Sequence, residues 1–96
     1  MPKTGTSECY FINLNHHCVE RLINMVKSYL EELRFPRGYS VDVYAGMIPL
    51  GSIVVEITGS KEDEIKALNL RITSKILEIC ERNGIESHGF EPLKIS

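Results

Sequence analysis

Two stretches of the chain carry apolar residues at the three- and four-residue spacing of an amphipathic helix. The first stretch starts after Asn15, whose side-chain oxygen is suited to accept a hydrogen bond from a free N–H of the first turn. It stops before Pro36, which cannot continue a helix, so we predict a helix that ends near Arg34. Its apolar stripe consists of Val19, Leu22, Ile23, Val26, Leu30 and Leu33.

The second stretch predicts a longer helix that begins at the sequence SKED. Ser60 and Asp63 have the spacing of a capping box, so we expect Ser60 to cap this helix. Asn83 and Gly84 predict its end, since glycine readily adopts the left-handed conformation that closes many helices. The core stripe of the second helix consists of Ile65, Leu68, Ile72, Ile76 and Ile79.

Four shorter segments have the alternation or the β-branched and aromatic composition of strands. Residues 9–14 are apolar on both faces, which predicts a central strand that is covered on both sides. Residues 39–45 and 53–58 alternate between apolar and polar positions, and the segment 46–51 between them is short enough for a hairpin connection. The last strand is expected at 85–90, limited to a sheet edge by the proline that follows it.

This order of elements, β-α-β-β-α-β, predicts an α+β fold of the ferredoxin-like sandwich type. We expect a four-stranded antiparallel sheet with both helices on one face, the first and third strands central and the other two at the edges. Residues 1–7 are small and polar and are expected to be a disordered N-terminus. Residues 8–96 are expected to form a single ferredoxin-like domain, which suits a chain of 96 residues.

Composition narrows the class of protein. The chain is 43% apolar and 25% charged with a formal net charge of −2, so nucleic acid is not an expected partner. Three cysteines, an odd number without a CxxC spacing, favour reduced thiols in the cytoplasm over a secreted disulfide scaffold. No apolar stretch has the length of a signal peptide core or a membrane span, so we expect no membrane association.

The predicted topology gathers the three histidines at one edge of the sheet. The end of strand 1, the start of helix 1, the hairpin and the start of strand 4 meet there, which brings His88 towards the sequence NLNHHC. We therefore expect a small ligand to bind at the strand 1–helix 1 edge. The candidate ligand-binding residues are Asn13, Asn15, His16, His17 and His88.

Two other interpretations of the same residues stay open. His17, Cys18 and His88 offer the nitrogen and sulfur ligands of a transition-metal site, although adjacent helix positions point about 100° apart. Cys18 could instead serve, with a histidine, as the nucleophile of a small enzyme. A purely structural role also accounts for these residues, with His16 and His17 in solvent and Cys18 bordering the core. No cofactor other than such a metal ion is expected.

The sheet face away from the helices is expected to carry apolar surface. Val54 and Tyr44 lie on it, together with either the Tyr10 side or the Phe11 side of strand 1. This is more apolar area than a monomer usually leaves in contact with water. Pairing two such faces would give an isologous dimer.

Further apolar positions lie outside the predicted core. Leu70 and Leu77 fall off the stripe of the second helix and either widen that stripe or form a second contact surface. Met47, Ile48 and Leu50 raise the same question for the hairpin tip. We therefore expect a homodimer or a higher homo-oligomer.

The stretch GMIPLGSIVVEITGSKEDEIKAL resembles the second half of small ACT-like regulatory domains, in particular those of the iron-only hydrogenase system regulator type. In that family a glycine-proline hairpin leads to a strand, a glycine with serine or threonine, and an acidic helix start. The resemblance covers about a quarter of the chain. The matching positions are Gly46, Pro49, Gly59, Ser60, Glu64, Ile65, Ala67 and Leu68.

The chain also departs from the family pattern. Met47 and Ile48 separate the glycine from the proline, the second helix is longer, and the first half shows no clear match. The resemblance implies a role in ligand sensing or assembly, with small molecules held between domains near the strand 1–helix 1 turn. It thus favours Asn13, Asn15 and His16, and the sequence as a whole predicts a non-enzymatic binding or regulatory module that oligomerises.

Overall fold

A computed structural model describes residues 2–46 and 51–96 of the chain. Two helices and a mixed set of long and short antiparallel strands form the α+β, ferredoxin-like fold that the sequence predicts. The hairpin residues 47–50 lie outside the described part. In chain order the elements are β1 (Lys3–Phe11), α1 (His16–Glu32), β2 (Ser40–Ala45), β3 (Ser52–Gly59), α2 (Glu62–Arg82), β4 (Ser87–Phe90) and β5 (Lys94–Ile95).

The sheet has the strand order β2-β3-β1-β4, and the short β5 also pairs with β1. The first and third strands are therefore central, as predicted, and β2 and β4 are at the edges. Inward residues of β3 alternate with outward ones: Ile53, Val55 and Ile57 are fully buried against the helices. The helices and the inward strand residues share one hydrophobic cluster.

The first strand begins earlier than predicted, so the expectation that residues 1–7 are disordered is wrong for residues 3–7. Lys3 already pairs with Gly59 of β3, and the strand continues to Phe11 without reaching position 14. Small side chains are needed here because α2 lies directly above. A Cβ on Gly5 would meet Cγ2 of Ile65 at 2.6 Å. The small, polar residues that indicated disorder instead allow α2 to pack close to the sheet.

The first helix follows its predicted pattern. Asn15 is its N-cap, with Oδ1 accepting a hydrogen bond from the backbone N–H of Cys18 at 3.0 Å. The helix ends at Glu32, shortly before the predicted end. The residues of the stripe that are buried are Val19, Leu22, Ile23, Val26 and Leu30.

The second helix starts differently from the prediction and ends as predicted. Its N-cap is Lys61, not Ser60, and the side chain of Lys61 makes no capping hydrogen bond. At the other end Gly84 has φ +65°, and the N–H of Ile85 donates to the carbonyl of Cys80 at 2.9 Å. These two features form a Schellman motif. Because this motif includes Ile85, β4 starts at Ser87 and not at the predicted position 85.

In the part of the chain that the structure describes, none of the helices combines the length and the apolar character needed to cross a membrane.

Candidate functional site

The histidines of α1 lie in solvent at its first turn. His16 Nε2 lies 3.0 Å from Oε1 of Glu20, one turn further along the helix. His17 is exposed, while Cys18 is half-buried beside the core. Their arrangement follows from the cap at Asn15, which fixes where the helix begins and so the direction of each of the following side chains.

The three residues of the predicted metal site lie on two elements, His17 and Cys18 on α1 and His88 on β4. Among residues 2–46 and 51–96, no group of three or more His, Cys, Asp and Glu side chains is arranged to hold a metal ion. His17 and Cys18 are adjacent on a helix and diverge. His88 is exposed on the edge strand β4. The assignment of a metal ion to His17, Cys18 and His88 therefore stays a prediction, with no preformed cluster among the described residues.

Asn13 lies beside the segment that leads into β4, as the predicted topology implies, but not on the same surface as His16. It has a left-handed φ of 53°, which reverses the chain between β1 and α1. The N–H of Ile12 donates to the carbonyl of Glu86 at 3.0 Å. A shallow cavity of about 240 Å³ is lined by Ile12, Asn13, Leu14, Gly84, Ile85 and Glu86. The structure therefore brings Asn13 to the segment before β4, while His16 faces another cleft.

The larger cleft, here called the α1–β2 groove, runs between the first helix and the edge strand. Its volume is about 370 Å³. Ile23 and Val43 are buried at its base, so the floor is apolar. Its lining residues are His16, Glu20, Ile23, Asn24, Lys27, Val43, Tyr44 and Ala45.

Of the predicted ligand-binding residues only His16 lines this groove. Glu20, Asn24 and Lys27 were not predicted, although all three share with His16 one polar face of α1. Their spacing in the sequence is sufficient to place these residues on one face of the helix. What the sequence did not reveal is that β2 lies beside that face.

Tyr44 connects the groove to the outer sheet face. Its hydroxyl donates to Oε2 of Glu56 at 3.2 Å. Burial raises the pKa of Tyr44, and the negative charge of Glu56 adds to this effect. The phenol is therefore protonated at neutral pH and acts as a hydrogen-bond donor towards the sheet.

The outer sheet face is more polar than the sequence predicted. Phe11 points to the helices and is only 5% exposed, and Val54 is 6% exposed, so neither adds much apolar surface. The side chain of Tyr44 is 40% exposed, so the prediction that it lies exposed on this face is confirmed. On β2 and β3, Asp42 lies directly opposite Glu56, a pairing of like charges.

A carboxylate is also held at the centre of this face. Glu8 accepts hydrogen bonds from Ser52 Oγ at 2.6 Å and from the Tyr10 hydroxyl at 3.1 Å. The hydrogen bond to Glu8, with the negative charge of that residue, raises the pKa of Tyr10. Gly46 lies against the same group, because a Cβ there would overlap Ser52 Oγ and Glu8 Oε2.

Cys9, Cys18 and Cys80 are all free. Cys9 and Cys80 are buried in the core, as was expected for Cys80. Burial raises the pKa of Cys80 to about 11, with a further contribution from the nearby Cys9. Burial also raises the pKa of Cys9, while hydrogen bonds from Ser87 and the Gly89 backbone oppose that shift. These two thiols are protonated core residues at neutral pH.

The two leucines outside the core stripe are exposed, so they do not widen the core. Leu70 is 68% exposed and Leu77 is 38% exposed on α2.

Comparison with known proteins supports the fold alone. No family model matches the chain, and no curated protein matches it. The chain is similar in structure to the de novo designed protein Foldit4, with 18% identity, a TM-score of 0.59, and coverage of 98% of this chain and 96% of the design. It is also similar to the de novo designed protein Ferredog-Diesel, with 22% identity, a TM-score of 0.55, and coverage of 97% and 83%.

A natural enzyme contains a region of the same shape. This is an amidase of the hydantoinase/carbamoylase family from Burkholderia multivorans, with 12% identity and a TM-score of 0.56. The match covers 99% of this chain but 27% of the amidase chain. At such identities the resemblance concerns the fold and not the chemistry.

Proposed function

We propose that this chain is a non-enzymatic binding or regulatory module that self-associates and takes a small ligand in the α1–β2 groove. The observation that carries the proposal is the position of the groove along a free sheet edge. The strand Ser40–Ala45 pairs with β3 on one side, and no described strand pairs with its other side. Free strand edges are templates for pairing with another chain.

The groove has the features of a small-molecule site. It combines an apolar floor with a few polar groups, and its size lies in the range of known ligand cavities. Lys27 and Glu20 bring both signs of charge to its rim. This location keeps the predicted strand 1–helix 1 edge through His16, and it moves the centre of the site towards β2.

Charges on α1 favour a second copy at the free edge. Glu20 precedes Asn24 by one turn and Lys27 follows it by nearly one turn. A second copy related by a two-fold axis near Asn24 would run antiparallel, so Glu20 of each copy would lie opposite Lys27 of the other. A face-to-face dimer of the outer sheet faces would instead bring Glu8, Asp42 and Glu56 towards their own copies, and like charges would oppose it.

A charge-swap series with native mass spectrometry tests the self-association. We expect the untagged chain to be dimeric, Glu20→Lys to weaken the dimer, and the double variant Glu20→Lys, Lys27→Glu to restore it. Glu81→Lys on α2 makes the same charge change away from the groove and is the matched control. A chain that stays monomeric, or a double variant no better than Glu20→Lys, would contradict the proposal.

The ligand is tested with the same instrument. The chain is incubated with a small-molecule extract of the producing cells, desalted, and weighed under native conditions. Asn24→Trp fills the groove, and Ser28→Trp on the exposed side of α1 is the control. We expect a bound mass that Asn24→Trp removes and Ser28→Trp keeps. Equal retention by the two variants would place binding elsewhere.

We assign the module to the cytoplasm, where its free cysteines stay reduced.

A further inference from the structure

A second cleft lies at the other end of α1, between the chain segment that leaves this helix and the first half of α2. Its volume is about 240 Å³. Leu68, only 6% exposed, forms the base of the cleft, so part of its surface is apolar. Its lining residues are Arg34, Pro36, Glu64, Ala67, Leu68 and Arg71. Below it is called the arginine cleft.

Arg71 of this cleft differs from the other cations of α2. Within the described residues, Lys66, Lys75 and Arg82 each form an ion pair with a glutamate on the same helix. In the same part of the chain, neither Arg34 nor Arg71 forms such a pair. Two exposed guanidinium groups therefore line one small cleft without an ion-pair partner among the described residues.

We propose that the arginine cleft binds an organic carboxylate with a small apolar body. A guanidinium group offers parallel N–H donors that match the two oxygens of a carboxylate, and it keeps its charge at any physiological pH. The surface formed by Pro36, Ala67 and Leu68 would contact the apolar body. Such a ligand joins an ionic head to an apolar base, which is the combination that this cleft offers.

Glu64 narrows the choice among anions. Its carboxylate lines the same cleft as the two arginines and would repel any bound negative charge. With two arginines and one glutamate, the charged groups of the lining carry a net charge of +1, which a singly charged carboxylate neutralises and a phosphate dianion exceeds. The lining thus matches a monoanion, and Glu64 is a residue that lowers affinity.

This site is separate from the α1–β2 groove. The groove uses the first three turns of α1, from His16 to Lys27, whereas Arg34 follows the end of that helix at Glu32. Failure of either proposal therefore leaves the other standing.

Benzoate is the probe, and backbone amide shifts of the isotope-labelled full chain are the measurement. We expect benzoate to shift the amides of 33–35, 37 and 64–71, and benzyl alcohol, the neutral analogue, to leave them in place. Inorganic phosphate should bind more weakly than benzoate. Equal shifts with benzoate and benzyl alcohol, no shifts in these segments, or tighter binding of phosphate would overturn the proposal.

Three variants assign the effect to residues. Arg71→Gln and Arg34→Gln should each weaken benzoate binding by about tenfold, as expected for loss of a charge-assisted hydrogen bond. Arg37→Gln is the matched control, since Arg37 is exposed nearby and does not line the cleft. Glu64→Gln should strengthen binding by about twofold to threefold. A loss with Arg37→Gln equal to that with Arg71→Gln, or weaker binding with Glu64→Gln, would contradict the assignment.

Discussion

The hydroxyl of Tyr39 accepts a hydrogen bond from the backbone N–H of Lys61 at 2.8 Å. Lys61 is the N-cap residue of α2, and its N–H has no acceptor within the helix. The ring of Tyr39 reaches this position by lying over Gly59 at the end of β3, where a Cβ would overlap the ring. A tyrosine just before β2 thus accepts from one of the free N–H groups at the start of α2, and a glycine makes room for it.

Gly59→Ala is expected to lower the free energy of unfolding by about 2 kcal/mol, because the new methyl group must displace the Tyr39 ring. Tyr39→Phe keeps the ring and removes the hydrogen bond, so it should cost about 1 kcal/mol. Urea unfolding of both variants measures these effects. If Gly59 is needed to make room for the Tyr39 ring, Gly59→Ala should lower the free energy of unfolding much less in a Tyr39→Ala background. An equal loss in both backgrounds would argue against this contact.

Asn15→Ala is expected to lower the free energy of unfolding by about 1 kcal/mol, since the Cys18 N–H loses its acceptor at the start of α1. Glu31→Ala is the control, because Glu31 is exposed within the same helix and its replacement by alanine favours the helix. Both are compared by chemical denaturation at neutral pH. A loss of similar size in the two variants would mean that Asn15 does not act as a cap.

The buried thiol of Cys80 is expected to make the folded protein less stable in alkaline solution. Its pKa is raised from 9.0 to about 11 by burial, so the unfolded chain releases this proton at lower pH than the folded chain. The contribution is fully present below pH 9 and is lost as the pH rises towards 11, by up to about 3 kcal/mol. Cys9, whose pKa is also raised, acts in the same direction.

The check is urea unfolding under reducing conditions at several pH values, for the wild-type chain and for Cys80→Ala. The variant should be less stable near neutral pH because of the volume it loses. Its deficit should shrink above pH 9, since it no longer carries the titrating thiol. Parallel stability curves for the two proteins across this range would show that Cys80 does not titrate as expected.

The N-terminal half of β1 should be protected against hydrogen exchange. The N–H of Thr4 donates to the carbonyl of Ser96 at 3.0 Å, and the segment also pairs with β3. We expect the amides of 4–7 to exchange slowly, in the range of other central strand residues. The turn at Arg37 and Gly38 gives the fast reference. Exchange of 4–7 as fast as at Gly38 would restore the original expectation of a disordered N-terminus.

Periodic patterns predicted most of the fold. The apolar stripes of both helices, the alternation in β2 and β3, and the stop at Gly84 depend on local sequence, and the structure confirms them. The errors arose where a distant element decides. Gly5 and Ser7 resemble a flexible tail until α2 is placed above them, where Ser7 Oγ donates to Oδ1 of Asn69 at 2.8 Å.

The candidate sites were harder to predict, because each joins elements that are far apart in sequence. His16 was singled out from its neighbours in the chain, but its groove depends on Val43 and Ala45 of β2. The arginine cleft went unpredicted because Arg34 and Arg71 form no motif together. Their shared position follows only from how the end of α1 meets α2.

The pairing of β5 with the start of β1 has a consequence for engineering. Thr4 and Ser96 exchange two backbone hydrogen bonds, so the two ends of the described chain leave the same side of the sheet, opposite β2. A short linker could join them in a circular permutant that is reopened at the exposed turn around Gly38. Tags or fused domains at either end would emerge together, away from the α1–β2 groove and its free strand edge.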